Sequence, residues 1–67
     1  MKIKVNSNPL NLDHGNHLIA LLKQLSLAEK SGMAIAVNAA VIPKIEWDEF
    51  LLQENDEIII IEAAQGG

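Results

Sequence analysis

The sequence ends in EAAQGG, residues 62–67, and this ending is the part of the chain best suited to chemistry. Gly66 and Gly67 lack side chains, so the end of the chain can thread a narrow slot in another protein. A carboxylate is a poor electrophile, but activation by ATP as an acyl-adenylate lets its carbonyl carbon accept sulfide, a persulfide or an amine. The chain has no cysteine, so any sulfur that it carries must be attached to the C-terminal carbonyl of Gly67.

The chain length and composition predict one compact domain with a tail. There are 67 residues, 49% of them hydrophobic, and with no cysteine the fold must depend on an apolar core rather than on disulfides. We predict a single domain over residues 1–62 and a flexible tail over residues 63–67. The tail spans at most about 17 Å when extended, and Gln65 and Gly66 are the residues expected to thread a partner's active site.

The hydrophobic pattern predicts an α+β domain. Leucines at positions 18, 21, 22 and 25 form one apolar stripe, which predicts a helix over about 17–25 with Asn16 as its N-cap. One helix can cover one face of a sheet. Alternating or continuous apolar residues predict the strands at 2–6, 10–12, 33–37, 41–42 and 57–62, the turns at 7–9, 38–40 and 54–56, and one further helical turn within 47–52.

The last predicted strand, EIIIIE, is apolar on both of its faces. Ile58 and Ile60 point to one side, while Ile59 and Ile61 point to the other. Because the single helix covers only one face of the sheet, the other face must expose isoleucines to water or to a partner, which makes it a candidate docking surface. The alternative is that the segment 44–55 folds over this face and hides it.

Composition argues against several classes of function. The net charge is −4, all five basic residues are lysine, and Phe50 and Trp47 are the only aromatic residues, so nucleic-acid binding is not expected. No apolar run is long enough for a signal peptide or a membrane span. We therefore expect a cytoplasmic protein that binds neither nucleic acid nor membranes.

Three other groups of residues have side chains that could form a site. Asp13, His14 and His17 offer too few ligands for a metal ion, so they are interpreted as surface residues. Trp47 is predicted to close the small core rather than to anchor a partner. The acidic residues of the second half have no neighbouring nucleophile, so they are interpreted as a solvated surface; they are Asp48, Glu49, Glu54, Asp56 and Glu57.

Three stretches of the sequence carry a resemblance: MKIKVN at the start, AIAVNAAVIPKIEW at residues 34–47 and NDEIIIIEAAQGG at the end. Together they resemble the ThiS family of ubiquitin-like sulfur carriers. The opening MKIKVN is similar to the first strand of that family. AIAVNAAVIPKIEW, residues 34–47, resembles its pattern of an apolar strand, Asn, Val-Pro-basic and Trp, and NDEIIIIEAAQGG resembles its closing turn, strand and Gly-Gly tail. Two positions depart from the pattern: Asn55 stands where glycine is usual, and Lys44 stands where arginine is common.

The resemblance implies a β-grasp, ubiquitin-like fold, with a mixed sheet, one main helix on one face, and the first and last strands central. It implies that Ile58 and Ile60 belong to the core, and that Ile59, Ile61 and Lys44 belong to a partner-binding surface. It further implies that Gly67 is adenylated by a ThiF-like enzyme, which uses ATP and magnesium, and is converted to a thiocarboxylate with sulfur from a cysteine desulfurase or sulfurtransferase system. Thiazole synthase would then take the sulfur for thiamine biosynthesis.

In this interpretation the chain is a carrier and a co-substrate, not an enzyme, and it binds no cofactor itself. Three alternatives remain open. The small subunit of molybdopterin synthase has the same tail chemistry, and a ubiquitin-like modifier would instead form isopeptide bonds to lysines. A plain interaction domain would have an inert tail.

Overall fold

The computed structural model describes residues 1–62. The predicted tail, with Gln65, Gly66 and Gly67, lies outside the described residues. The elements in chain order are β1 (Lys2–Val5), β2 (Asn8–Asn11), α1 (Leu18–Gln24), β3 (Met33–Val37), β4 (Ala40–Val41), a 3₁₀ helix (Lys44–Glu46) and β5 (Glu57–Glu62). The predicted α+β class is confirmed.

The five strands form one mixed sheet in the order β2-β1-β5-β3-β4. β1 runs parallel to β5, with Val5 beside Ile58, while the other neighbouring strands are antiparallel. The first and last strands therefore lie side by side inside the sheet, as the resemblance implied. β5 therefore has a neighbouring strand on each side at its start, and Glu62, the last described residue, still lies beside β3.

The helix covers one face of the sheet and closes the core. Leu18, Leu21 and Leu22 of α1 are fully buried, which confirms the stripe predicted from their spacing. They belong to one hydrophobic cluster with residues from β1, β3 and β5, among them Ile3, Ile35 and Ile58. In a chain of this size, one such cluster must supply most of the stabilisation.

The two hairpin turns differ by one or two residues from the predicted turns. The first turn is centred on Asn6 and Ser7, both with positive φ, so β2 begins at Asn8 and includes Pro9. Pro9 is tolerated because β2 is an edge strand. Val5 and Asn8 close the two-residue turn, and Pro9 lies opposite Lys4 in the next pair. In an antiparallel ladder, hydrogen-bonded and non-hydrogen-bonded pairs alternate, so the pair after the closing one exchanges no backbone hydrogen bonds. The N–H group that proline lacks is therefore not needed. The second turn is centred on Asn38 and Ala39.

The helix start predicted at Asn16 is wrong by one residue. His17 is the N-cap, and no side chain caps the helix. The first N–H groups of the helix instead donate to backbone carbonyls of a distant segment: Leu18 N to Phe50 O at 2.8 Å, and Ile19 N to Trp47 O at 3.2 Å. The orphan donors of the first turn are thus satisfied by tertiary contacts.

The predicted helical turn at 47–52 is also corrected. The 3₁₀ helix spans Lys44–Glu46, and residues 47–49 continue as turns. Trp47 is 4% exposed, and its Nε1 donates to the Ile42 carbonyl at 2.9 Å, so it closes the core as predicted. The Glu46 carbonyl accepts from Glu49 N at 3.1 Å and from Phe50 N at 2.9 Å, so helical hydrogen bonding begins before Trp47 and continues for one turn past it.

The turn before β5 requires a left-handed backbone at Asn55, where φ is +69°. We expect Asn55→Ala to lower the free energy of unfolding by about 1 kcal/mol, because a Cβ without a compensating polar group is unfavourable there. Asn55→Gly should stay within about 0.5 kcal/mol of the wild type. Urea denaturation followed by circular dichroism measures both. Equal midpoints for the alanine and glycine variants would show that backbone conformation does not select this residue.

Candidate functional site

The four isoleucines of β5 divide between the two faces of the sheet. Ile58 is fully buried and Ile60 is partly buried against the core, whereas Ile59 is 40% and Ile61 is 60% exposed. The predicted orientation of all four is confirmed. β5 therefore exposes the side chains of Ile59 and Ile61 to solvent, and Ile61 is the residue directly before Glu62, where the strand ends.

The strand register extends this exposed surface across three strands. Ala36 lies opposite Ile59, Ala34 lies opposite Ile61, and Val41 of the edge strand lies opposite Ala36. Val41 is 73% exposed. Residues paired in register share a face, so Ala34, Ala36, Val41, Ile59 and Ile61 form one apolar surface on the face away from the helix, which we call the open-face patch.

The segment 44–55 does not cover the open-face patch. Trp47 and Leu52 are buried in the core cluster, and Leu52 N donates to the Asn16 carbonyl at 2.7 Å, beside the start of α1. The segment thus packs on the helix side of the sheet. The alternative that it hides Ile59 and Ile61 is wrong.

Two asparagine side chains hold β5 from its two sides. On the β1 side, Asn6 accepts from Ile60 N at 2.9 Å through Oδ1 and donates to Ile60 O at 3.3 Å through Nδ2. On the β3 side, Asn38 Oδ1 accepts from Glu57 N at 3.0 Å, and its Nδ2 donates to Asp56 Oδ1 at 2.9 Å. Both asparagines have left-handed backbones in hairpin turns, a conformation that asparagine tolerates better than most residues.

An ion pair lies at the last described residue. Lys30, in the loop between α1 and β3, places Nζ 2.6 Å from Glu62 Oε1, with the two side chains 52% and 44% exposed. Exposed pairs of this kind contribute little to overall stability. This pair does, however, join the end of β5 to the loop after the helix, directly before residues 63–67.

Lys44, the third residue predicted for the partner-binding surface, is exposed in the 3₁₀ helix. That helix follows the edge strand β4, which is separated from β5 by β3, so strand register does not bring Lys44 together with Ile59 and Ile61. Register does bring Lys4, and with it Lys2, to the face that carries the open-face patch, because Lys4 lies beside Glu57. These lysines were not predicted, since only the pairing of β1 with β5 places them there.

The remaining candidates stay on the surface. Asp13, His14 and His17 are exposed, and within residues 1–62 no group of three or more His, Asp or Glu side chains could hold a metal ion. Every charged side chain that the structure describes is at least partly accessible to solvent. In the same part of the chain, no helix has the length and apolar character to cross a membrane.

Comparison with solved structures defines the class of fold. A crystal structure of the thiamine biosynthesis protein ThiS from Geobacter metallireducens matches with a TM-score of 0.82 at 22% identity, covering the whole of both chains. A solution NMR structure of a thiamine biosynthesis protein from the same organism matches with a TM-score of 0.79 at 22% identity, covering all of this chain and 88% of the other. Together with the sheet order and the one α-helix found among residues 1–62, these likenesses define a ubiquitin-like β-grasp fold.

Sequence comparison then gives the family. The sulfur carrier protein ThiS of Escherichia coli (strain K12) is 28% identical to this chain over 67 residues, which is the full length of both proteins. The model of the ThiS family matches residues 3–67. The chain belongs to the ThiS family.

Proposed function

We propose that the chain is a sulfur carrier for thiamine biosynthesis, and that it carries sulfur as a thiocarboxylate on Gly67. The observation that carries this proposal is the family match, which extends through the Gly-Gly ending at residue 67. The exposed isoleucines of β5 support it, because they offer a docking surface immediately before the reactive tail. In this function the chain is a co-substrate of partner enzymes, acts in the cytoplasm and binds no cofactor itself.

The chemistry takes place in two steps on the terminal carboxyl group. A carboxylate oxygen of Gly67 attacks the α-phosphorus of ATP, bound with magnesium by a ThiF-like enzyme, and pyrophosphate leaves. Sulfide then attacks the acyl-adenylate carbonyl carbon and AMP leaves, which gives the thiocarboxylate. If the donor is a persulfide from a cysteine desulfurase or sulfurtransferase, the first product is an acyl disulfide, which a thiol must reduce to the same thiocarboxylate.

Tail and docking surface have separate roles in this proposal. The open-face patch positions the domain on its partner, and Gln65 and Gly66 lead the carboxylate into the active site. Glycine and other small residues suit such a passage because they place little or no side chain in the slot. Lys44 is proposed as an additional contact at the periphery, and thiazole synthase is the proposed acceptor of the sulfur.

The decisive experiment is an intact-mass measurement. The chain, purified with its own C-terminus, is incubated with the ThiF-like enzyme of the same organism, ATP, magnesium and sulfide. We expect a species about 16 Da heavier, as oxygen is replaced by sulfur at Gly67, and no such species without ATP. An unchanged mass in the presence of a demonstrably active enzyme would contradict the proposal.

The same material separates the alternatives. If the thiocarboxylate forms but only a molybdopterin synthase large subunit accepts its sulfur, the chain is better described as the small subunit of molybdopterin synthase. Isopeptide conjugates on lysines of other proteins, found in cell extracts with ATP, would favour a modifier. A chain that binds its partner equally well with and without residues 66–67, and is never activated, would be an interaction domain.

The open-face patch makes a testable prediction about docking. Replacing Ile59 and Ile61 together by threonine keeps β-branching but removes apolar surface, and we expect the Kd for the adenylating enzyme to rise about tenfold or more. Stability should change little because both side chains are substantially exposed. Isothermal titration calorimetry measures the affinity.

Ile45→Thr is the matched control for this substitution. Ile45 is 89% exposed, more than either strand residue, but it lies in the 3₁₀ helix beyond the edge strand. We expect its replacement to leave the Kd within about twofold of the wild-type value. Equal losses of affinity for Ile45→Thr and the double variant would show that docking does not depend on the open-face patch.

A further inference from the structure

On its β1 side, the end of β5 is held by a side chain, because β1 pairs with β5 only as far as Ile58. β1 pairs with β5 only through Lys4 and Val5, opposite Glu57 and Ile58. Beyond that point β1 turns away, and the amide of Asn6 bonds both the N–H and the carbonyl of Ile60. Asn6 therefore continues the ladder by one step in place of a strand, across a separation of 54 positions in the sequence.

A second side chain acts two residues further along. The ammonium group of Lys30 forms an ion pair with the carboxylate of Glu62, and this is the ion pair that the structure shows within residues 1–62. Lys30 belongs to the loop that precedes β3, whose first residue, Met33, lies opposite Glu62. The last three residues of β5 are thus restrained from the β1 side by an amide and from the loop side by an ammonium group.

We propose that Asn6 and Lys30 are positioning residues that fix where, and in which direction, the chain leaves the sheet toward Gly67. The inference rests on the proposed function, in which the terminal carboxylate must reach an active site while the domain is docked. Reactions that depend on placement lose rate steeply when the reacting group is free to take other positions. In this proposal both residues act through the placement of the chain and not on the reacting atoms, so neither is a catalytic residue.

Asn6→Gly is the informative variant, with Asn38→Gly as its matched control. Both positions have left-handed backbones in hairpin turns, and both side chains bond the β5 backbone. Glycine keeps the turn conformation in each case and removes the side-chain bonds. The difference is that Asn38 holds the beginning of β5 at Glu57, whereas Asn6 holds its end at Ile60.

Two measurements test the proposal. Amide hydrogen exchange should accelerate about tenfold or more at Ile60 in Asn6→Gly, and this residue should stay protected in Asn38→Gly. With the ThiF-like enzyme, kcat/KM for thiocarboxylate formation should fall about tenfold in Asn6→Gly and about twofold or less in Asn38→Gly. Equal kinetic losses in the two variants, or unchanged exchange at Ile60, would overturn the role of Asn6.

A charge exchange tests Lys30. Lys30→Glu and Glu62→Lys should each lower kcat/KM by about two- to fivefold, and the double variant, which restores an ion pair with reversed polarity, should recover most of the loss. Additive losses in the double variant would overturn the positioning role of the pair. If the wild-type chain is not activated at all, the proposed function fails, while the exchange measurement still decides whether Asn6 holds the end of β5.

Discussion

Removal of Gly66 and Gly67 is expected to abolish thiocarboxylate formation. The shortened chain still ends in a carboxylate, but that group now belongs to Gln65 and lies up to about 7 Å short of the position that Gly67 reaches. With the domain docked through the open-face patch, the carboxylate no longer meets the α-phosphorus of ATP. We expect the species about 16 Da heavier to fall at least about 100-fold in intact-mass spectra.

The controls for this truncation separate chemistry from folding and docking. Among residues 1–62, the buried core residues lie between positions 3 and 58, so the thermal midpoint should match that of the full chain. Calorimetry should still detect binding to the adenylating enzyme, weakened by loss of the tail contacts only. A sulfur-bearing product from the truncated chain would contradict the assignment of the reaction to the Gly67 carboxyl group.

Ile58→Ala is expected to have the largest effect on stability. Ile58 is fully buried in the central strand, and it lies beside Val5 on one side and opposite Val37 on the other. Truncation of a buried isoleucine costs about 2–5 kcal/mol, and a single small core rarely supplies more than about 3–5 kcal/mol in total. Urea denaturation at 25 °C should therefore show a chain that is largely unfolded or close to it.

The adjacent residue is the natural control. Ile59→Ala removes the same atoms from the next position of the same strand, but Ile59 is 40% exposed on the open face. We expect a loss of less than about 1 kcal/mol. A loss as large as that of Ile58→Ala would mean that the open face is covered in solution, for instance by a second copy of the chain.

The residues of the open-face patch could be predicted only in part from the local sequence pattern. Alternation within β5 was enough to separate Ile58 from Ile59, because side chains on a strand alternate between faces. It did not reveal that Ala34, Ala36 and Val41 share the surface of Ile59 and Ile61. Their grouping depends on the register between strands that are far apart in sequence, and register is a tertiary property.

The start of the helix shows the same limit. Asn16 is a good N-cap by residue type, yet the helix begins after His17 and uses carbonyls of Trp47 and Phe50 as acceptors. The core requirement to bury Trp47 brings that segment to the helix terminus. A side-chain cap is then unnecessary, because these carbonyls already accept from the first N–H groups of the helix. Tertiary packing thus overrides the N-cap preference of the local sequence.

By itself, the sequence determined the order of strands and helix, the leucine stripe of α1, the turn at residues 54–56 and the chemistry available to Gly67. These features depend on neighbouring residues, so their physical causes are local. Tertiary structure alone decided the extent of the open-face patch, the capping of α1 and the bonds from Asn6 to Ile60. Those contacts join residues up to 54 positions apart, so no local pattern encodes them; the parallel pairing of β1 with β5, for example, is what brings Asn6 beside Ile60.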